Sequence, residues 1–184
     1  MNEGLISKRY ARALYRHAAK LGEENVLYHR MLILEELLCR MPQLRERLKS
    51  PVVKPREKLS LLQTATGKNA EQSYLDFAEL VVANERCAAL RMITLSYQQI
   101  YRKMKNISVV HLVSAKKMSF AAIEKIRRIT EQQTHGTVEF SNHIDPAIDG
   151  GFILQFNDLR IDASVRGQLQ QIERKLMAMN RSMI

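Results

Sequence analysis

Hydrophobic positions recur at helical spacing through the first hundred residues. Ile6, Tyr10, Ala13, Leu14, Ala18 and Leu21 mark a helix over 4–21, and Gly22 ends it. Val26, Leu27, Met31, Leu34, Leu37, Leu38 and Met41 mark a second helix over 24–41. Pro42 permits a new start, and a short third helix runs to about Leu48, where Ser50-Pro51 breaks it. Val52-Val53-Lys54-Pro55 reads as an extended connector. Further helices are expected over 55–66, closed near Gly67, over 70–84, and over 87–105. The last of these carries Leu90, Ile93, Tyr97, Ile100, Tyr101 and Met104 on one stripe. Short connections between such helices imply a bundle with mostly antiparallel neighbours.

After Asn106 the period changes. Ile107, Val109, Val110, Leu112 and Val113 are strand-like and β-branched. Ser119 can cap a helix running to about Thr134, with Ile123, Ile126 and Ile129 along one side. Gly136 ends it, and Thr137–His143 reads as another strand. Asp145-Pro146 initiates a turn, because proline biases the residue before it away from helix. Gly150-Gly151 then allows backbone angles that a Cβ would forbid. Phe152, Leu154 and Phe156 alternate with Gln155 as in a half-buried strand, although Ile153 breaks the alternation. Asn157-Asp158 suits a two-residue hairpin turn, and Leu159 and Ile161 continue the return strand. Ser164, or Asp162 before it, can cap a last helix to about Met179, with Leu169, Ile172, Leu176 and Met179 on one side. The expected fold class is α+β overall: a six-helix bundle over 1–105, then a small α/β domain over 106–184.

Composition narrows the class without naming a chemistry. The 184 residues are 46% hydrophobic, enough for packed cores. No apolar run approaches the roughly 20 residues that cross a bilayer, and the N-terminus has neither a signal-peptide core nor transit-peptide character. The expectation is a cytosolic protein that meets a membrane only indirectly. Cys39 and Cys87 fit no metal spacing, and five scattered histidines form no HxxxH or HExxH pattern, so no metal site and no cofactor are expected. Gly150-Gly151 lacks the GxxxxGK[ST] context of a phosphate loop. The net charge of +10 is uneven: residues 1–105 carry 19 Lys+Arg against 11 Asp+Glu, and residues 106–184 carry 10 against 8. The basic excess suits an acidic protein, an anionic membrane or nucleic acid.

Two helices have surfaces that one core does not explain. On the fifth, Leu80, Phe77, Val81, Tyr74, Ala78, Val82 and Leu75 cover an arc of roughly 220°, leaving Asp76, Glu79 and Ala83 as a polar wedge. The excess is buried either against further bundle helices or against a partner. The first helix has a broad, alanine-rich arc containing Ala11, Ala13, Ala18 and Ala19, whose small side chains let another backbone come close. Its other face carries Lys8, Arg12, Arg16 and Lys20 at four-residue spacing, which is either a solvated face or one turned to an acidic partner.

The stretch from Asp145 to Leu169 closely resembles the C-terminal signature of the delta subunit of F-type ATP synthases, the oligomycin sensitivity-conferring protein of mitochondria. Gly150, Gly151, Asp158, Asp162, Ser164, Val165 and Gly167 match it, while Asn157 and Ala163 fall where glycine is usual. Tyr10-Ala11-Arg12-Ala13-Leu14 resembles the family's tyrosine-alanine-arginine-alanine-leucine opening. Val82-Ala83-Asn84-Glu85-Arg86 resembles its alanine-glutamate-asparagine-glycine-arginine segment, with Val82, Ala83 and Glu85 departing. The resemblance implies a non-catalytic stator subunit on the cytoplasmic face of a bacterial plasma membrane. It would tie the catalytic head to the peripheral stalk so that the head does not turn with the rotor, supporting proton-driven ATP synthesis. It implies a groove between the first and fifth helices that receives the N-terminal helix of an alpha subunit, with Tyr10, Ala13, Leu14 and Asn84 as carried-over residues. The helical wheel adds Phe77, Leu80 and Val81. The C-terminal domain would meet the C-terminal ends of the stalk b subunits. Two other classes fit the sequence less well. An RNA-binding helical protein lacks an RNP motif, a GXXG loop or an aromatic-basic platform here. An enzyme would have to use Asp145, Asp149, Asp158 and Asp162, residues that turns and strand ends use routinely.

Overall fold

Six helices form along the first part of the chain: α1 (Glu3–Leu21), α2 (Glu24–Arg40), α3 (Pro42–Lys49), α4 (Pro55–Thr66), α5 (Gln72–Ala83) and α6 (Leu90–Met104). A 3-10 turn over Cys87–Ala89 leads into α6, so the sixth helix begins later than its apolar pattern indicates. The remainder forms β1 (Ile107–Ser114), α7 (Phe120–Thr134), β2 (Thr137–Ile144), β3 (Phe152–Phe156), β4 (Leu159–Asp162) and α8 (Val165–Arg181). This is a computed structural model, and it describes residues 3–67, 69–134, 136–148, 150–156 and 159–181. The architecture is α+β, and the chain divides into two units, Met1–Lys105 and Asn106–Ile184.

In the first unit α1 and α2 pack along α6. The buried stripe of α1 is Ser7, Ala11, Leu14 and Ala18, all nearly inaccessible. Three of these four are small, which lets α1 approach α6 closely. Ala13, expected on the buried stripe, is exposed, as is Ala19. The core is completed by Leu27, Met31, Leu34 and Leu38 of α2, Leu62 of α4, and Leu90, Ile93, Tyr97 and Tyr101 of α6. Val26 and Met41 of the expected α2 stripe, and Met104 of α6, are exposed instead. Tyr28 and Tyr101 stack with centroids 4.1 Å apart.

The connection from α4 to α5 is strapped to α2 by one side chain. Arg30 Nε and Nη2 donate to the two carboxylate oxygens of Glu71, at 2.5 and 3.0 Å. Its Nη1 and Nη2 also donate to the carbonyls of Thr66 and Asn69. Glu23 does the complementary work at the next turn: its carboxylate accepts the Ser73 N–H at 2.9 Å, satisfying an orphan donor in the first turn of α5. The Ser73 side chain first, and that N–H second, hold the Glu23 carboxyl below its ordinary value.

In the second unit the sheet order is β2-β1-β3-β4. β1 and β2 are parallel, joined through α7, which packs on β2; β1–β3 and β3–β4 are antiparallel. Ser119 caps α7, its hydroxyl accepting the Ala122 N–H at 3.3 Å. As an inner strand, β3 half-buries Phe152, Ile153, Leu154 and Phe156 and exposes Gln155. Ile153 shares its face with the exposed Gln155, so that face of β3 is covered only in part. Phe156 pairs with Leu159; the expected turn residues between them, Asn157 and Asp158, lie outside the described residues, as does Asp149.

Candidate functional site

The broad apolar arc of α5 is mostly spent inside. Tyr74, Phe77, Ala78, Val81 and Val82 are buried, and Leu75 is half-buried. Leu80 is left over, 51% exposed beside α1. There α1 and α5 frame a groove of two adjoining depressions. One, about 300 Å³, is lined by Tyr10, Ala13, Leu14, His17, Ser73, Asp76, Phe77 and Leu80. The other, about 400 Å³, is lined by Ile6, Arg9, Tyr10, Ala13, Leu80 and Arg86. Tyr10, Ala13 and Leu80 belong to both, so the two are continuous. Ala13 is exposed because it forms this wall, where a small side chain leaves room for an occupant.

Of the residues expected in this groove, the structure brings together Tyr10, Ala13, Leu14, Phe77 and Leu80. Val81 is fully buried in the bundle core behind the wall, because it stands roughly 100° round the helix from Leu80. Asn84 stands at the end of α5, where its side-chain amide donates to the Leu80 carbonyl at 2.8 Å. Glu85, in the place of the family's glycine, adopts φ +55. The Arg86 N–H reaches the Val81 carbonyl and the Glu85 N–H that of Val82, the two bonds of a Schellman end.

Sequence reasoning missed the groove's polar boundary. His17 Nε2 donates to Asp76 Oδ2 at 2.8 Å, joining α1 to α5. The Gln72 amide donates to the other oxygen of Asp76 at 2.7 Å. Gln72 first and His17 second hold the Asp76 carboxyl below its ordinary value. The signal was present: His17 follows Ala13 by four residues and Tyr10 by seven, so it shares their face. At the opposite end the groove is bordered by two cations, Arg9 and Arg86.

In the second unit the described signature residues form a joint between the loop before β3 and the start of α8. Ser164 is buried and is the N-cap of α8; its hydroxyl accepts the Gly167 N–H at 3.0 Å. Asp162 accepts both the backbone N–H and the hydroxyl of Ser164, so both candidate caps act together. The Ser164 hydroxyl, then its N–H, holds the Asp162 carboxyl below its ordinary value. The Val165 N–H donates to the Gly150 carbonyl at 3.1 Å. Gly151 has φ +76, and a Cβ there would stand 2.2 Å from the Ala163 carbonyl oxygen. Asp158, the remaining signature residue, lies outside the described residues. Asp145 has a local task as well, accepting the Ala147 N–H at 3.0 Å. Beyond the joint, Val165, Leu169 and Ile172 leave an exposed apolar stripe on α8.

Among the described residues, no three His, Cys, Asp or Glu side chains gather in a way that could hold a metal ion. No described helix is long and apolar enough to cross a membrane.

Comparison with known proteins agrees with this geometry. Residues 6–176 match the family model described as ATP synthase delta (OSCP) subunit. The chain is 37% identical over 182 residues to the ATP synthase subunit delta of Phocaeicola vulgatus, covering 98% of each. It is 37% identical over 186 residues to that of Bacteroides thetaiotaomicron, covering 100% of each. Among solved structures, a chain in the cryo-EM structure of the Toxoplasma gondii mitochondrial ATP synthase hexamer shares the fold, with a TM-score of 0.72 and 23% identity, over 96% of this chain and 98% of that one. Over nearly its whole length, this chain belongs to the ATP synthase delta (OSCP) subunit family.

Proposed function

We propose that this chain is a non-catalytic stator subunit of a bacterial F-type, proton-translocating ATP synthase. It ties the catalytic head to the peripheral stalk at the cytoplasmic face of the plasma membrane, so that the head does not turn with the rotor. It reaches the membrane only through the complex, and it needs neither metal nor cofactor. The observation that carries the reading is the apolar groove between α1 and α5, with Leu80 half-exposed on one wall and Ala13 open on the other. This is the shape that receives the apolar face of a single helix. The occupant is the N-terminal helix of the alpha subunit. The second unit holds the C-terminal ends of the stalk b subunits, and the exposed Val165, Leu169 and Ile172 stripe is the surface offered to them.

The test is calorimetric titration of the full chain with a peptide of the same organism's alpha-subunit N-terminus. One-to-one binding is expected. Leu80→Asp removes an apolar contact of about 1.5–3 kcal/mol, a loss of roughly 10- to 100-fold in affinity. Val52→Asp, at an exposed position away from the groove, leaves binding unchanged. Absence of binding by the folded wild type would overturn the reading.

A further inference from the structure

Along α1 and α5 themselves the two flanks of the groove carry opposite charge, while Arg86, past the end of α5, adds a cation at one end. Take Ala13 as the origin on an α1 wheel, at 100° per residue. His17, Tyr10 and Leu14 then lie roughly 40°, 60° and 100° to the side that faces α5. Arg9, Arg16 and Arg12 lie roughly 40°, 60° and 100° to the other side. All three arginines are exposed, and together with Lys8, Leu5 and Ala13 they border a depression of their own. Ala13 is common to that depression and to both parts of the groove, so the basic surface starts where the apolar one stops. On α5 the corresponding flank is acidic. Taking Leu80 as the origin, Asp76, which already accepts from His17 and Gln72, and Glu79 lie roughly 40° and 100° round on the side opposite Phe77. Among the described residues, none forms a salt bridge with Arg9, Arg12 or Arg16. Lys8, Arg12, Arg16 and Lys20 also repel one another at four-residue spacing. A row of carboxylates laid beside them relieves that repulsion, whereas a row of cations adds to it.

We propose, on the basis of the docking reading above, that the groove selects its helix by charge as well as by apolar fit. The occupant is an amphipathic helix with carboxylates along the flank that faces Arg9, Arg12 and Arg16, and none along the flank that faces Asp76 and Glu79. Such a helix fits with its apolar stripe in the groove in one direction only, because reversing it end for end exchanges its flanks. The charge pattern therefore sets register and direction, while the apolar contact supplies most of the affinity.

The experiment is titration of the full chain with the same alpha-subunit peptide, at about 20 mM and about 500 mM salt. Three proteins are compared: wild type, Arg12→Glu/Arg16→Glu, and Lys54→Glu/Arg56→Glu. The last pair makes the same net-charge change at exposed positions that line no part of the groove. Circular dichroism checks that all three are folded. At low salt the ladder reversal is expected to weaken binding about tenfold and the control less than twofold, with the gap closing at high salt as the Debye length shrinks. A peptide with its Asp and Glu replaced by Lys is expected to prefer the ladder-reversed protein to the wild type. Equal effects of the two double variants overturn the proposal and leave the docking reading intact. No binding of the peptide by the wild type overturns both.

Discussion

Glu85 holds a backbone angle that suits glycine. Its φ of +55 closes the Schellman end of α5 beside the groove. A Cβ in the left-handed region costs about 1 kcal/mol, part of which glycine returns through its looser unfolded chain. Glu85→Gly is expected to raise stability by up to about 1 kcal/mol in urea unfolding. At Gly167 the expectation runs against helix propensity. Alanine is the better helix former by about 1 kcal/mol. Yet a Cβ on Gly167 would stand 2.5 Å from Asp162 Oδ1, the oxygen that braces the Ser164 cap. Gly167→Ala is therefore expected to destabilise the second unit by more than about 1 kcal/mol, since the clash also disrupts the cap. A rise in its unfolding midpoint would show that the joint can open without cost.

Helices α1 to α6 were legible because each repeats apolar residues at 3.6-residue spacing, but the faces they turn inward were less so. On α1, alanine fits core and surface equally, so periodicity could not rank Ala13 against Ala11. Ser7, fully buried, was hidden by its polarity. Most of the excess apolar surface on α5 is absorbed by the bundle, and Leu80 is what it leaves at the groove. The apolar arc could not say which of its residues the bundle would absorb, and Val81 went to the core. The Arg30–Glu71 pair was out of reach altogether, since nothing local links residues 41 apart in sequence. It is nonetheless the main polar tie between α2 and the start of α5. The two side chains are 10% and 14% exposed, and Arg30 also sits 5.5 Å over the Tyr74 ring. Arg30→Met would keep much of the stem but strand the Glu71 carboxylate and two carbonyls. Leaving one half-desolvated charge without its partner costs about 3–5 kcal/mol. That loss should appear in thermal unfolding, and Arg30→Met/Glu71→Met should recover part of it.

At the scale of the whole chain, tyrosine and acid together give a way to watch one unit alone. All six tyrosines lie between Tyr10 and Tyr101, within the first unit, so near-ultraviolet tyrosine signals report that unit only. The same unit contains Glu23, Glu24, Glu71 and Asp76, each with its carboxyl held below the ordinary range, chiefly by hydrogen bonds from Ser73, Lys105, Arg30 and Gln72 respectively. A carboxyl whose folded pKa is depressed binds its proton more readily when unfolded. It therefore contributes stability in full above the unfolded value, and that contribution drains away as pH falls through the folded value. The urea midpoint read from tyrosine should thus be nearly flat from about pH 7 to about pH 5.5, then fall steeply below pH 4.5, the ordinary glutamate value. Glu71→Gln should lower the neutral plateau, because Arg30 loses its charged partner, and should make the acid decline shallower by one proton's worth. An acid decline of unchanged slope would mean that Glu71 is not one of the groups linking protonation to unfolding. The strap between α2 and α5, and with it the alignment of the groove's second wall, would then rest on the carbonyl contacts of Arg30 alone.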